Sequence, residues 1–186
     1  MGGDPAYRDA AREVAGFFVA NNIGLVYGGA NVGLMKVLAD VMLENNKEAI
    51  GIMPHNLVRK EVAHESLSEM IIVYTMSERK EKMVELSDGF ITLPGGFGTL
   101  DELSEIITIN QLRIVDKPLG ILNINGYFNH LLDFFDRAVE EGFVRSEHRE
   151  NLIVSDDINE LFTRMNEYRP LTMGKWIEEI KVVSKN

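Results

Sequence analysis

The chain has 186 residues, of which 45% are hydrophobic, enough for one compact domain with a sizeable core, so a single domain over residues 1–186 is expected. Twenty-nine acidic residues against 19 basic ones give a net charge of −10, which argues against a nucleic-acid polymer or an anionic membrane as partner. With no cysteine, disulfides, zinc ribbons, iron–sulfur clusters and thiol nucleophiles drop out together.

Asp4-Pro5 reads as an N-cap followed by proline at the first helical position, and Ala10, Val14, Phe17 and Phe18 give that helix one apolar face, ended by Asn21-Asn22. Ile23 to Tyr27 reads as a short strand. Gly28-Gly29-Ala30-Asn31-Val32-Gly33 then leads into a helix that turns Leu34, Val37, Leu38, Val41 and Met42 inward. Strands follow at 48–53 and 69–74, with an irregular or partly helical stretch between them, and Thr75 to Lys80 opens a helix ending near Leu86. Phe90 to Leu93 is the fourth strand, a helix begins at Thr99, and residues 118–123 form the fifth strand. Helices are expected at about 127–141, 157–167 and 173–183. No basic-then-apolar leader follows Met1, and no apolar run reaches the roughly 18 residues of a membrane span, so the expectation is an untargeted cytoplasmic protein.

Strands alternating with helices imply a parallel sheet covered on both faces. Ligands bind such a sheet beyond the carboxyl ends of its strands. The glycine loops at 28–33 and 94–98, and the helix start at Arg79-Lys80, all follow strands and therefore share that rim.

Pro94-Gly95-Gly96-Phe97-Gly98-Thr99 is the most informative of these loops. Glycines there leave amide N–H groups uncovered at a helix start, where the helix dipole adds to them, so a phosphate is the expected occupant. Gly-rich turns also connect strands to helices with no ligand at all. Thr99-x-x-Glu102 fits a capping box, which needs no function; a first-turn carboxylate would equally stand beside anything the loop holds. The 28–33 loop matches a dinucleotide fingerprint poorly, Ala30 replacing its second glycine, so a tight turn is the default. Arg79 and Lys80 oppose the dipole at their helix start, which suits an anion in front of them as well as plain solvated charge. A pyridoxal Schiff base at Lys80 has no supporting partner in the sequence. His55, His64, His130 and His148 show no ligand spacing, so no metal and no cofactor is expected.

Pro94-Gly95-Gly96-Phe97-Gly98-Thr99-Leu100-Asp101-Glu102 resembles the Pro-Gly-Gly-x-Gly-Thr-x-x-Glu signature of the Lonely Guy family, the cytokinin riboside 5′-monophosphate phosphoribohydrolases. Met76-Ser77-Glu78-Arg79-Lys80 is similar to its Met-x-x-Arg-Lys signature, and shorter likenesses such as Tyr27-Gly28-Gly29 and Lys117-Pro118 extend the match over about residues 3–165. The resemblance implies a Rossmann-like three-layer α/β/α fold with a mostly parallel sheet, a homodimer, and hydrolysis of the N-glycosidic bond of a nucleoside 5′-monophosphate. By the same resemblance Arg79 and Glu102 would be catalytic, and Gly95, Gly96, Gly98 and Thr99 would hold the 5′-phosphate. Met76, Lys80, Gly28 and Gly29 would line the nucleotide pocket. Some relatives carry a lysine decarboxylase label, which the lack of a pyridoxal site does not support.

Members of the family usually begin with a strand ahead of the segment similar to Gly2–Tyr7, a central element of the sheet and part of the nucleotide site, so the expectation is that either this start is incomplete or the fold compensates. Ile109, Arg113 and Ala30 also depart from common family residues and bear on base preference. In the chemistry implied, Glu102 would face the positive charge that develops at C1′ as the base leaves, while the loop fixes the phosphate. Two rivals remain: a non-catalytic nucleotide-binding protein of the same architecture, and a nucleosidase of general nucleotide turnover.

Overall fold

The computed structural model describes residues 2–58 and 63–170. In chain order the elements are α1 (Pro5–Ala20), β1 (Leu25–Tyr27), α2 (Gly33–Glu44), β2 (Ala49–Pro54), α3 (His55–Val58), β3 (Glu69–Val73) and α4 (Met76–Leu86). Then come β4 (Phe90–Thr92), α5 (Phe97–Gln111), β5 (Leu119–Leu122), a single 3-10 turn (Ile124–Gly126), α6 (Asn129–Glu140), α7 (Ser146–Glu150), β6 (Ile153–Ser155) and α8 (Ile158–Asn166).

Every strand pair is parallel, and the pairing falls into two half-sheets, β1-β2-β3 and β4-β5-β6. Register is set by Val26 opposite Ile50 in the first half and by Ile91 opposite Gly120 in the second. Between β1 and β4, the inner edges of the two halves, no strand pairs among the described residues.

Helices bridge the halves. One apolar cluster takes Ala11, Val14 and Ala15 of α1, Leu25 and Tyr27 of β1, Ala39 and Met42 of α2, Leu122 of β5, and Ile158 and Leu161 of α8, so a single core underlies both. On the opposite face Leu103 and Ile106 of α5 meet Leu119, Ile121 and Phe128. The period-2 alternation of a strand does the sorting in β5: Leu119 and Ile121 face α5, and Gly120 and Leu122 face α8. Gly120 is there because α8 lies too close for a side chain. A Cβ at this position would stand 2.8 Å from the Met165 sulfur and 3.0 Å from Leu161. The result is the three-layer α/β/α arrangement read from the strand–helix alternation.

Local chemistry accounts for the element ends. Asp4 caps α1, its carboxylate accepting from the Ala6 amide at 2.9 Å with Pro5 next in line. Thr75 caps α4, its hydroxyl accepting from the Glu78 amide at 3.0 Å while the Glu78 carboxylate accepts from the Tyr74 amide at 2.7 Å. The Lys117 ammonium closes the other end of α4, donating to the carbonyls of Val84 at 2.7 Å and Ser87 at 2.5 Å. β6 and α7 were not foreseen from the sequence; the former is three residues long and completes the second half-sheet. The helix expected at 173–183 lies outside the described residues. No helix among the described residues is long and apolar enough to cross a membrane.

Candidate active site

The carboxyl ends of β1 and β4 feed the two glycine loops, and β3 feeds α4, so all three arrive at one rim as the strand order requires. A cavity of about 1160 Å³ opens there, lined by Gly28, Met76, Arg79, Gly96, Thr99 and Glu102, and continues between the strands along Leu25–Tyr27 and Phe90–Thr92. It exceeds the roughly 300–1,000 Å³ of ordinary small-molecule pockets because it includes the unfilled space between the half-sheets.

α5 begins earlier than the sequence suggested. Gly96 is its N-cap, with no side-chain cap, and the first intrahelical bond runs from the Leu100 amide to the Gly96 carbonyl at 3.1 Å. By helix geometry the amides of Gly96, Phe97, Gly98 and Thr99 then have no partner within the helix. Four donors at the positive end of a dipole make an anion cradle, and Gly96, Gly98 and Thr99 face the cavity. Gly95 does not line it; the residue packs beneath Thr99, whose hydroxyl would lie 2.0 Å from any Cβ placed there.

The shift of the helix start also removes the capping-box reading of Thr99 and Glu102. Thr99 is the third residue of the helix, and Glu102 lies three residues further along, beyond the N3 position a capping box needs. Its carboxylate instead accepts from Arg79 Nη1 at 2.6 Å. The same Thr-x-x-Glu spacing occurs at Thr75–Glu78, where it does cap a helix.

Arg79 is fixed from three sides. Its Nε donates to the Ile52 carbonyl at 3.0 Å, its Nη1 holds Glu102, and its Nη2 lies against Gly28, where a Cβ would come within 2.0 Å. The side chain is 11% exposed, so the guanidinium is a built part of the wall rather than a mobile surface charge. Gly28 thus has a steric task at the site. Gly29, with φ +79°, turns away from the cavity, and its carbonyl accepts from the His64 amide at 3.1 Å.

Beneath that loop sits a polar pair the sequence did not signal. Buried His64 bonds through Nε2 to Asp40 at 3.1 Å, and its Nδ1 accepts from the Ser66 amide at 3.3 Å. Burial pushes the Asp40 carboxyl up, but hydrogen bonds from Lys36 and His64 outweigh it and hold the group below its ordinary value of 3.8. Burial, with help from the Asp40 charge, raises the Tyr27 hydroxyl well above its usual range.

Lys80 borders the cavity, but its ammonium is engaged between Asp101 and Glu105 of α5, and the hydrogen bond to Glu105 raises its pKa above 10.5, with Asp101 adding to the effect. A lysine so paired holds α4 against α5. It is not presented as a free amine for a Schiff base. Among the described residues no group of three or more metal-ligating side chains stands together.

The geometry joins Arg79, Glu102 and the glycine loop in one cavity. A family model described as "Possible lysine decarboxylase" matches residues 35–165. A cytokinin riboside 5′-monophosphate phosphoribohydrolase of Arabidopsis thaliana is 44% identical over 170 residues, covering 91% of this chain and 79% of the relative. The chain belongs to the Lonely Guy family. A second Arabidopsis member of the same name is 41% identical over 181 residues, covering 95% of this chain and 79% of its own. Among solved structures, the molybdenum cofactor binding protein of the phototrophic bacterium Rippkaea orientalis superposes with a TM-score of 0.65 at 20% identity over 88% of both chains, a likeness of fold. For this Lonely Guy member the pairing of Lys80 with Asp101 and Glu105 gives the decarboxylase description no support.

Proposed function

We propose that the protein hydrolyses the N-glycosidic bond of a nucleoside 5′-monophosphate, a cytokinin riboside monophosphate or AMP, releasing free base and ribose 5-phosphate. The observation that carries this reading is the placement of a cation-held carboxylate just beyond an anion cradle on one helix. Along α5, Glu102 lies about 4.5 Å further than Thr99 at about 1.5 Å per residue, on the scale of a ribose between its 5′-phosphate and its anomeric carbon.

With the phosphate on the amides of Gly96, Phe97, Gly98 and Thr99, C1′ comes to rest beside Glu102. As the bond from C1′ to the base nitrogen breaks, positive charge grows on the sugar, and the Glu102 carboxylate stabilises it. Water adds its oxygen to C1′, and the leaving base takes up a proton. Arg79, tied to the Ile52 carbonyl, keeps the carboxylate turned into the cavity. Met76 and Gly28 border the nucleotide. The family's dimer fits the exposed Leu112, Ile114, Phe134 and Phe143, apolar side chains that a second copy would cover, and the lack of cysteine suits the cytoplasm.

Incubation with AMP and with N6-substituted adenosine monophosphates, followed by chromatography, is expected to give free base and ribose 5-phosphate. Glu102→Gln is expected to abolish release with the circular dichroism spectrum unchanged. Recovery of every nucleotide bound but intact would overturn the reading in favour of a carrier.

A further inference from the structure

A trans peptide unit is planar, so the carbonyl of one residue and the amide of the next point in opposite directions. At Gly95–Gly96 this geometry decides what the loop offers an anion. If the Gly95 carbonyl points away from the cavity, the Gly96 amide points into it; a flipped peptide would present an oxygen to the phosphate instead. Two successive glycines put little steric resistance in the way of that flip.

The Gly95 carbonyl is held. It accepts a hydrogen bond from the Tyr127 hydroxyl at 2.6 Å. Tyr127 follows the 3-10 turn after β5, and its amide donates to the Ile124 carbonyl at 3.0 Å. Its ring stands edge-on to Tyr7 of α1 at 5.5 Å and to Phe128 at 5.0 Å, which fixes where the hydroxyl can reach. The turn is itself anchored, Asn125 donating to the capping Asp4 at 3.0 Å and the Phe128 amide to Asn123 at 2.7 Å. Gly96 borders the cavity, whereas Gly95 and Tyr127 stand outside its lining. The carbonyl and the amide of this peptide therefore lie on opposite sides of the loop.

We propose that Tyr127 is a positioning residue for phosphate recognition: its hydroxyl locks the Gly95–Gly96 peptide with the Gly96 N–H turned into the cradle. This rests on the reading of the loop as a 5′-phosphate site. It assigns a task to a side chain that touches neither the base nor the scissile bond.

Tyr127→Phe removes one oxygen and keeps both ring contacts, so the fold should survive. Its amide spectrum in ¹⁵N–¹H NMR is expected to retain wild-type dispersion. Titration with inorganic phosphate should move the Gly96 amide in the wild type, and the variant should bind phosphate about tenfold more weakly. With AMP the variant should show a KM raised about tenfold and kcat within threefold. Inhibition by adenosine, which lacks the phosphate, should be unchanged. Phosphate titration needs no turnover, so a wild type that binds phosphate through Gly96 without cleaving AMP would sink the hydrolase reading and leave this one standing. Equal phosphate affinity in the two proteins, a wild-type Gly96 amide indifferent to phosphate, or a parallel loss of adenosine inhibition would each overturn the role of Tyr127.

Discussion

Gly28→Ala tests whether the Arg79–Glu102 contact is the working part of the site. The new Cβ would start 2.0 Å from Arg79 Nη2, while ordinary contact begins at 3.4 Å, so the guanidinium must retreat by about 1.4 Å or the loop must move. Arg79 is planar and rigid at its tip, and its Nε is already committed to the Ile52 carbonyl, so the retreat carries Nη1 with it. A 2.6 Å bond to Glu102 lengthened by that amount falls outside hydrogen-bonding range. A hydrogen bond between charged groups contributes about 1.5–3 kcal/mol. Felt in the transition state, that is roughly a 10- to 150-fold loss in kcat/KM at about 1.4 kcal/mol per decade. The assay is base release from AMP in a double-mutant cycle with Arg79→Ala. Alanine at position 28 should be costly beside Arg79 and cost under threefold once Arg79 is gone. Equal losses in the two backgrounds would refute the reasoning, because Gly28 would then matter for the loop and not for the arginine.

Two further outcomes concern stability. Lys117→Met removes the ammonium that closes α4 and leaves the Val84 and Ser87 carbonyls without that donor, at an expected cost of about 1–3 kcal/mol in urea unfolding; a midpoint equal to wild type would show that water replaces it at no cost. Asp40 has a folded pKa below its ordinary 3.8, so its contribution is fully present above about pH 4 and is lost as pH falls through the folded value. Asp40→Asn should therefore be less stable than wild type at pH 7, with the difference shrinking as the pH is lowered below 4; a constant difference across that range would remove Asp40 from the pH dependence.

Much of the architecture was legible because its signals are local. Asp4-Pro5 announced the first helix and Asn21-Asn22 its end, since capping and a left-handed Asn22 depend on a few adjacent residues. The rim was legible too, because parallel strands leave their loops on one side whatever the details. What escaped notice depends on partners distant in sequence. β6 is three residues, Ile153 to Ser155, and acquires its identity from pairing with β5, for which no short-range pattern exists. Tyr127 follows a strand end at the same rim, so the rule that picked out the two glycine loops could have included it, but its bond to Gly95 spans 32 residues.

Glu102 shows how a correct spacing can be assigned to the wrong task. Thr-x-x-Glu occurs at Thr75–Glu78 and again at Thr99–Glu102, and that spacing alone does not say where the helix begins. At the first site Thr75 precedes the helix, so its hydroxyl and the Glu78 carboxylate satisfy amides that would otherwise lack partners. At the second, Gly96 takes over the N-cap, which a residue without a side chain can do only by leaving the amides beyond it uncapped. Two consequences follow from that one substitution of glycine for a capping hydroxyl: the donors stay open to an external anion, and Glu102, with no amide to satisfy, is left for Arg79 to hold. A Gly96→Ser variant would place a hydroxyl where it can accept from Gly98 or Thr99. The cradle and the carboxylate that Arg79 holds thus have a common origin in where α5 starts.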